Sequence, residues 1–223
     1  MSFAAPDRSP WKATTSSGRE AEEGEAPPPV FRPPMGGATV VFLGVPESEV
    51  AGQAEQHGQF TVDLIDLADT PLPLELPPVP PALEPDMARP AEMAGLTRRI
   101  AAADAIVVVT PEYNRSFPAS LKAAIDWHYT EWQAKAVGFV GYSGGSGGIL
   151  AVEQLRQVFG ELQAHTVRDY VAFPRYYELF GPDGILRDPE GPNGAAKVLL
   201  DQLLWWGSVL HDARRDRPYT TAH

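Results

Sequence analysis

The chain has 223 residues, enough for one α/β domain with a full core and too few for two. Its formal net charge of −11 argues against a basic face for nucleic acid, and the absence of cysteine excludes disulfides, thiol catalysis and thiolate-held metals. No apolar run approaches the roughly 18 residues of a membrane-spanning helix, and the first residues lack the pattern of a secretory leader, so a cytoplasmic protein is expected.

Residues 1–37 are rich in Pro, Glu, Ser and Gly and carry little apolar surface to offset chain entropy. They read as a disordered or loosely docked arm. Residues 1–38 hold four basic and five acidic residues, so the negative charge belongs to the remainder. That remainder, 38–223, reads as one domain.

The pattern turns regular at Ala38. "ATVVFLG" (38–44) has the continuous apolar run of a strand buried on both faces, and "FTVDLIDL" (60–67) alternates. Residues 71–90 contain eight prolines and predict an irregular loop. "AEMAGLTRRIAAA" (91–103) places Met93, Leu96 and Ile100 on one helical face, and "DAIVVVT" (104–110) is a third strand. Pro118 suits a first helical turn, and the helical pattern runs to Trp132. "AVGFVGY" (136–142) is a fourth strand, "ILAVEQLRQVFGEL" a helix, and "HTVRDYVAF" (165–173) a fifth strand. "NGAAKVLLDQLLWWGSVLHDARR" closes the chain as an amphipathic helix.

Strands alternating with helices predict a parallel sheet covered on both faces. Five of them suit a flavodoxin-like three-layer sandwich with strand order 2-1-3-4-5, whose ligands bind outside the strand C-termini where the order reverses. The loops there are 44–48, 110–117 and 142–147. "TPEYN" (110–114) offers a ring, a carboxylate, an amide and several backbone groups, as a flat polar ligand would need. Equally, it can be a turn capped by Asn114 and Ser116 with Tyr113 in the core. "YSGGSGG" (142–148) lets backbone approach a ligand and opens a helix. Its alternative is a flexible turn with a serine cap. It is neither a Walker loop nor a dinucleotide fingerprint.

"TPEYNRSFPASLKAAIDW", "YSGGSGG" and the late "FGPDGILRDPE…LLDQLLWW" together resemble the NADPH-dependent FMN reductase family, which includes chromate, quinone and azo-dye reductases. The likeness runs from about Thr39 to Arg214. It implies FMN in the loops after strands 1, 3 and 4, NADPH or NADH as donor, and a homodimer or homotetramer. Carried over by position, Pro111, Glu112, Tyr113 and Asn114, with Ser116, border the isoalloxazine ring. Tyr142, Ser143, Gly144, Gly145, Ser146 and Gly147 border its other side. Electrons would pass to a quinone, an azo compound, free flavin or another small acceptor, and no catalytic side chain is implied, since the chemistry is the cofactor's.

One segment departs from the family pattern. A Gly-Ser-x-Arg phosphate cradle should follow strand 1, but the sequence there is "GVPESE". The Arg is absent, Pro46 has no N–H, and Glu47 and Glu49 place negative charge where a phosphate would sit. FMN is therefore expected to bind weakly or not at all. Two alternatives remain open beside a working reductase: a flavin-free relative using the crevice for another small molecule, as in natural-product chemistry, and an inactive partner subunit. His128 falls on the stripe of Leu121, Ile125 and Trp132 and is expected in a core or interface. The histidines show no metal-ligand spacing, so no metal is expected.

Overall fold

The computed structural model describes residues 38–44, 49–70, 72–85, 87–182 and 185–219. The expected arm 1–37 and the segment Val45 to Ser48 lie outside the described residues.

Among the described residues six strands form a wholly parallel sheet: β1 (Ala38–Gly44), β2 (Phe60–Asp66), β3 (Ala105–Pro111), β4 (Ala136–Ser143), β5 (His165–Thr166) and β6 (Val171–Pro174). Their order is β2-β1-β3-β4-β5, with β6 also paired to β4, so the flavodoxin-like fold is present as expected. Helices α1 (Glu49–His57) and α6 (Glu190–Asp216) cover one face. Helices α2 (Ala94–Ala102, preceded by a 3-10 turn at Ala91–Met93), α3 (Ala119–Asp126) and α4 (Ile149–Glu161) cover the other. The short α5 spans Tyr176–Leu179.

The two faces follow from the period of two along each strand. Val40 and Phe42 of β1 enter the cluster under α1 and α6, while Val41 and Leu43 enter the cluster under α2 to α4. Strands buried on both sides need unbroken apolar runs, and β1 and β3 have them. In α4, Ala151, Val152, Leu155 and Phe159 recur at helical spacing and are buried. Gly138 on β4 lets α6 come close, since a Cβ there would lie 2.7 Å from Leu199 Cδ1.

Two elements differ from the sequence reading. The expected strand 165–173 is split into β5 and β6, which pair with different parts of β4. The cause is Arg156 of α4, whose guanidinium donates to the carbonyls of Val167 (2.6 Å) and Arg168 (2.7 Å). Those carbonyls are satisfied without a strand partner, so the chain swings out of the ladder. The helix expected to reach Trp132 ends instead at Asp126. A ring nitrogen of His128 bonds the Ala124 carbonyl (2.7 Å), and Trp132 Nε1 donates to the Ile125 carbonyl (3.1 Å). Two side chains on the apolar stripe thus cap the carbonyls they were expected to continue past. His128 is buried as expected, its second ring nitrogen 2.9 Å from Thr97 Oγ1, and burial pushes its imidazole below the ordinary value.

Candidate functional site

The C-terminal ends of β1, β2, β3 and β4 lie side by side at one end of the sheet. The register pairs Gly44 with Asp66 and Pro111 with Tyr142. Between these strand ends lies a crevice of about 330 Å³, whose lining includes Gly44, Asp66, Thr110, Tyr113, Ser120 and Tyr142. Gly44 is required there. Its φ is +136°, and a Cβ would fall 1.9 Å from the Val109 carbonyl oxygen.

After Pro111 the chain makes a two-residue turn. Tyr113 N–H donates to the Ser116 carbonyl (2.8 Å) and Ser116 N–H to the Tyr113 carbonyl (2.9 Å). Asn114 (φ 51°) and Arg115 (φ 67°) at its tip are both left-handed, which defines a type I′ turn. Asn tolerates that region, whereas Arg is strained by it. Gln154 of α4 clamps the turn, accepting from Ser116 Oγ (2.8 Å) and donating to the Arg115 carbonyl (2.6 Å). Tyr113 is left 60% exposed on the crevice rim, so it is not a core residue.

Glu112 ties this turn to the glycine loop. Its N–H donates to the Tyr142 carbonyl (2.9 Å), continuing the ladder. Its carboxylate accepts from Ser146 Oγ (2.7 Å) and from Leu150 N–H (3.0 Å) in the first turn of α4. Gly148, the residue before α4, has no capping side chain. Glu112 therefore provides the missing cap from another loop, and its charge matches the positive end of the helix. Ser143 Oγ accepts from Gly145 N–H (3.2 Å) and Gly147 N–H (2.8 Å) and lies 3.0 Å from Ser146 Oγ. With Ser143 donating to Ser146, and Ser146 to Glu112, the three form one directed chain.

The glycines of the loop divide by purpose. Gly147 and Gly148 are buried and left-handed, and a Cβ on Gly148 would lie 2.5 Å from Gly141 Cα. Gly148 serves a backbone-on-backbone contact with β4, and Gly147 a close approach to Ala172 and Pro174 of β6. Gly145 is exposed, with nothing within 4 Å of where its Cβ would be, and Gly144 meets one ring atom of Tyr177 at 4.0 Å. Gly144 and Gly145 are thus the open edge that a ligand can approach.

Tyr142 lines the crevice with its phenol pushed up to about 12, first by burial and then by the neighbouring Tyr113 and Tyr176. It stays a hydrogen-bond donor at neutral pH. Asp66 is the charged member of the lining, and its Oδ1 accepts the Ala68 N–H (2.8 Å). Lys122 is paired with Asp126 at 2.6 Å on α3.

Of the eleven residues singled out from the sequence, Pro111, Tyr113 and Tyr142 line this crevice, while Glu112, Asn114 and Ser116 belong to the adjoining turn and Ser143, Gly144, Gly145, Ser146 and Gly147 follow Tyr142 in the chain. Sequence reasoning missed Gln154, Tyr176 and Tyr177. Gln154 sits on a helix with no local mark, but two adjacent tyrosines after "FPR" in a polar stretch were a legible signal.

A parallel sheet of this order, with a crevice at its reversal point lined by Tyr113 and Tyr142, defines a flavodoxin-like protein. The model of the NADPH-dependent FMN reductase family matches residues 48–178, and the chain belongs to that family. It is 36% identical over 114 residues to an NAD(P)H-dependent FMN reductase of Schizosaccharomyces pombe, covering 51% of this chain and 56% of that protein. It is 33% identical over 147 residues to a probable NADPH:quinone oxidoreductase of Oryza sativa subsp. japonica, covering 63% of this chain and 70% of that protein. The chain thus spans little more than half the length of the first of these relatives. Among solved structures, FerB from Paracoccus denitrificans, a flavoenzyme NAD(P)H:(acceptor) oxidoreductase, superposes with a TM-score of 0.56 at 25% identity, over 76% of this chain and 97% of that one.

Proposed function

We propose that the chain is an NAD(P)H-dependent oxidoreductase that reduces quinone-like or other small acceptors, using FMN held loosely and exchangeably at this crevice. The observation that carries the reading is the tethered pair of loops. Glu112, Ser146 and Ser143 fix the glycine loop to the Pro111–Tyr113 strand end, leaving Gly144 and Gly145 open beside Tyr142.

The described residues fit the ring half of the cofactor. Pro111 and Tyr113 offer a flat apolar rim, Tyr142 a protonated phenol, and the open glycine edge allows close approach of an isoalloxazine. When bound, FMN supplies a site for hydride from NAD(P)H and for onward transfer. Over one cycle NAD(P)H loses a hydride, and a quinone gains two electrons and two protons, one of them from solvent. The chain's own part is to position, to exclude water beside Val109 and Leu121, and to donate hydrogen bonds. The phosphate half supports loose binding. Among the described residues the crevice lining carries Asp66 and no Lys or Arg, and "VPES" follows Gly44.

Titrating purified protein with FMN and with riboflavin, followed by flavin absorbance and fluorescence, tests this. The expected result is similar, weak affinity for both, with NAD(P)H oxidation rising as either flavin and a quinone are added. FMN far tighter than riboflavin would show that the phosphate has strong donors and overturn exchangeability. No flavin binding at all would favour the flavin-free reading of the crevice.

We further infer a homodimer. Trp127 and Trp132 bury within the protomer, while Trp205 on α6 stays 47% exposed, an apolar surface that a second copy would cover. Sedimentation at micromolar concentration checks it, and a monomer would end the inference.

A further inference from the structure

The turn at the rim of the crevice carries an arginine where its backbone favours glycine. Arg115 holds φ at +67° in the second tip position of the type I′ turn, and any side chain there is strained. The turn itself does not need that side chain. Tyr113 and Ser116 exchange both backbone hydrogen bonds, and Gln154 engages the Ser116 hydroxyl and the Arg115 carbonyl. A glycine at 115 would keep every one of these contacts.

What the arginine adds is charge. Among the described residues its guanidinium is exposed and has neither a carboxylate nor a carbonyl partner. Other cations of this region are already engaged. Lys122, next to Leu121 of the lining, pairs with Asp126 at 2.6 Å, and Arg175 pairs with Glu178 at 3.0 Å. The lining holds Asp66 and no Lys or Arg, in a chain of net charge −11. An anion reaching the mouth therefore meets an uncompensated positive group, two residues beyond the Tyr113 that lines the crevice.

We propose that Arg115 reads the 2′-phosphate of NADPH at the mouth of the crevice and so sets a preference for NADPH over NADH. The two donors differ only in that group. A phosphate monoester brings three terminal oxygens and about two negative charges at neutral pH, which suit the guanidinium fork. The diphosphate is common to both donors, so contacts with it cannot tell them apart. Placement agrees with chemistry. The nicotinamide has to enter the crevice to reach a flavin there, which leaves the adenosine end outside, and Arg115 is exposed and not part of the lining. The donor named here rests on the oxidoreductase reading above, but recognition of the phosphate does not.

Two measurements separate these claims. Calorimetric titration of the full chain at low salt compares adenosine 2′,5′-bisphosphate with adenosine 5′-monophosphate, without flavin or turnover. The bisphosphate should bind more tightly, and the gap should narrow as salt is raised. Arg115→Gly, which suits the turn, should weaken the bisphosphate about five- to twentyfold and the monophosphate by less than about twofold. Arg115→Lys keeps a point charge without the fork and should fall between. In turnover with FMN and a quinone, Arg115→Gly should raise KM for NADPH relative to NADH by a similar factor, with kcat held. Equal losses for both nucleotides, or no preference in the unmodified chain, overturn the proposal. So does a shift in sedimentation with unchanged affinities, which would make Arg115 a contact between copies. An Arg115-dependent nucleotide preference with no oxidation of either donor would uphold the recognition and sink the oxidoreductase reading.

Discussion

The Glu112 carboxylate accepts the Leu150 N–H at 3.0 Å, joining the end of β3 to the first turn of α4 across 38 residues of chain. The bond makes one loop the cap of the helix that the other loop begins. It also accounts for a carboxylate at the rim of a crevice proposed for an anionic cofactor: the charge is spent on a helix N-terminus and a serine hydroxyl rather than aimed at a ligand. Glu112→Ala should lower stability by about 1–2 kcal/mol, the range for losing a helix cap. It should also weaken flavin binding, because the glycine loop loses its tether. Glu112→Gln keeps an acceptor and should recover part of both losses. Urea midpoints and flavin titrations of the three proteins check this, and a stability loss with unchanged flavin affinity would reduce Glu112 to a cap alone.

Gly44 and Gly148 should tolerate no side chain. Gly44→Ala combines φ +136° with a Cβ 1.9 Å from the Val109 carbonyl oxygen, and Gly148→Ala combines φ +85° with a 2.5 Å approach to Gly141 Cα. Each should cost about 3 kcal/mol or more, since backbone must move in both cases. Gly52→Ala is the control: it sits in α1 with nothing within 4 Å, and it should stabilise by up to about 1 kcal/mol through helix propensity. Thermal or chemical denaturation would rank the three.

Arg115 occupies the second tip position of a type I′ turn, where glycine is preferred. Arg115→Gly should therefore stabilise the protein by about 0.5–1 kcal/mol, strain relief outweighing the greater freedom of the unfolded chain. A fall in melting temperature would show that the Arg115 side chain makes a contact worth more than the strain.

Lys135 provides the pH prediction. Its Nζ donates to the carbonyls of Ile100 and Ala101 at the end of α2, and burial, reinforced by Arg214, lowers its ammonium to about 7. Between that value and the ordinary 10.5 the unfolded chain binds more protons than the folded one. Stability should therefore rise with pH from about 7 to 10, by at most ~1.4 kcal/mol per pH unit from this group. Below pH 7 the full cost of the buried ammonium is present and this slope vanishes. Lys135→Met should flatten the rise, as read by urea midpoints at pH 7, 8 and 9. An identical slope in the variant would assign the dependence to other groups.

The apolar runs of β1 and β3, the proline-rich loop and the glycine loop announce the architecture because each is a local pattern with a local cause. The same holds for "TPEYN", whose position after a buried strand was enough to place it on the crevice. What the sequence concealed was decided by partners distant in the chain. Arg156 breaks the fifth strand from a neighbouring helix. His128 and Trp132 keep the spacing of an apolar stripe while capping the helix whose pattern they continue. The work of Glu112 depends on a Leu150 N–H that no motif could reveal.

The division of the last strand has a consequence for the molecule among its neighbours. The sheet's outer border opposite β2 consists of two residues of β5 and four of β6, separated by a segment whose Val167 and Arg168 carbonyls are occupied by Arg156. A flat border would offer a continuous row of unpaired N–H and C=O groups to a passing chain, which is how sheets recruit one another into aggregates. Here the longest uninterrupted stretch ends in Pro174, which has no N–H to give. Arg156→Ala would free those carbonyls and leave a longer stretch of the border open to pairing.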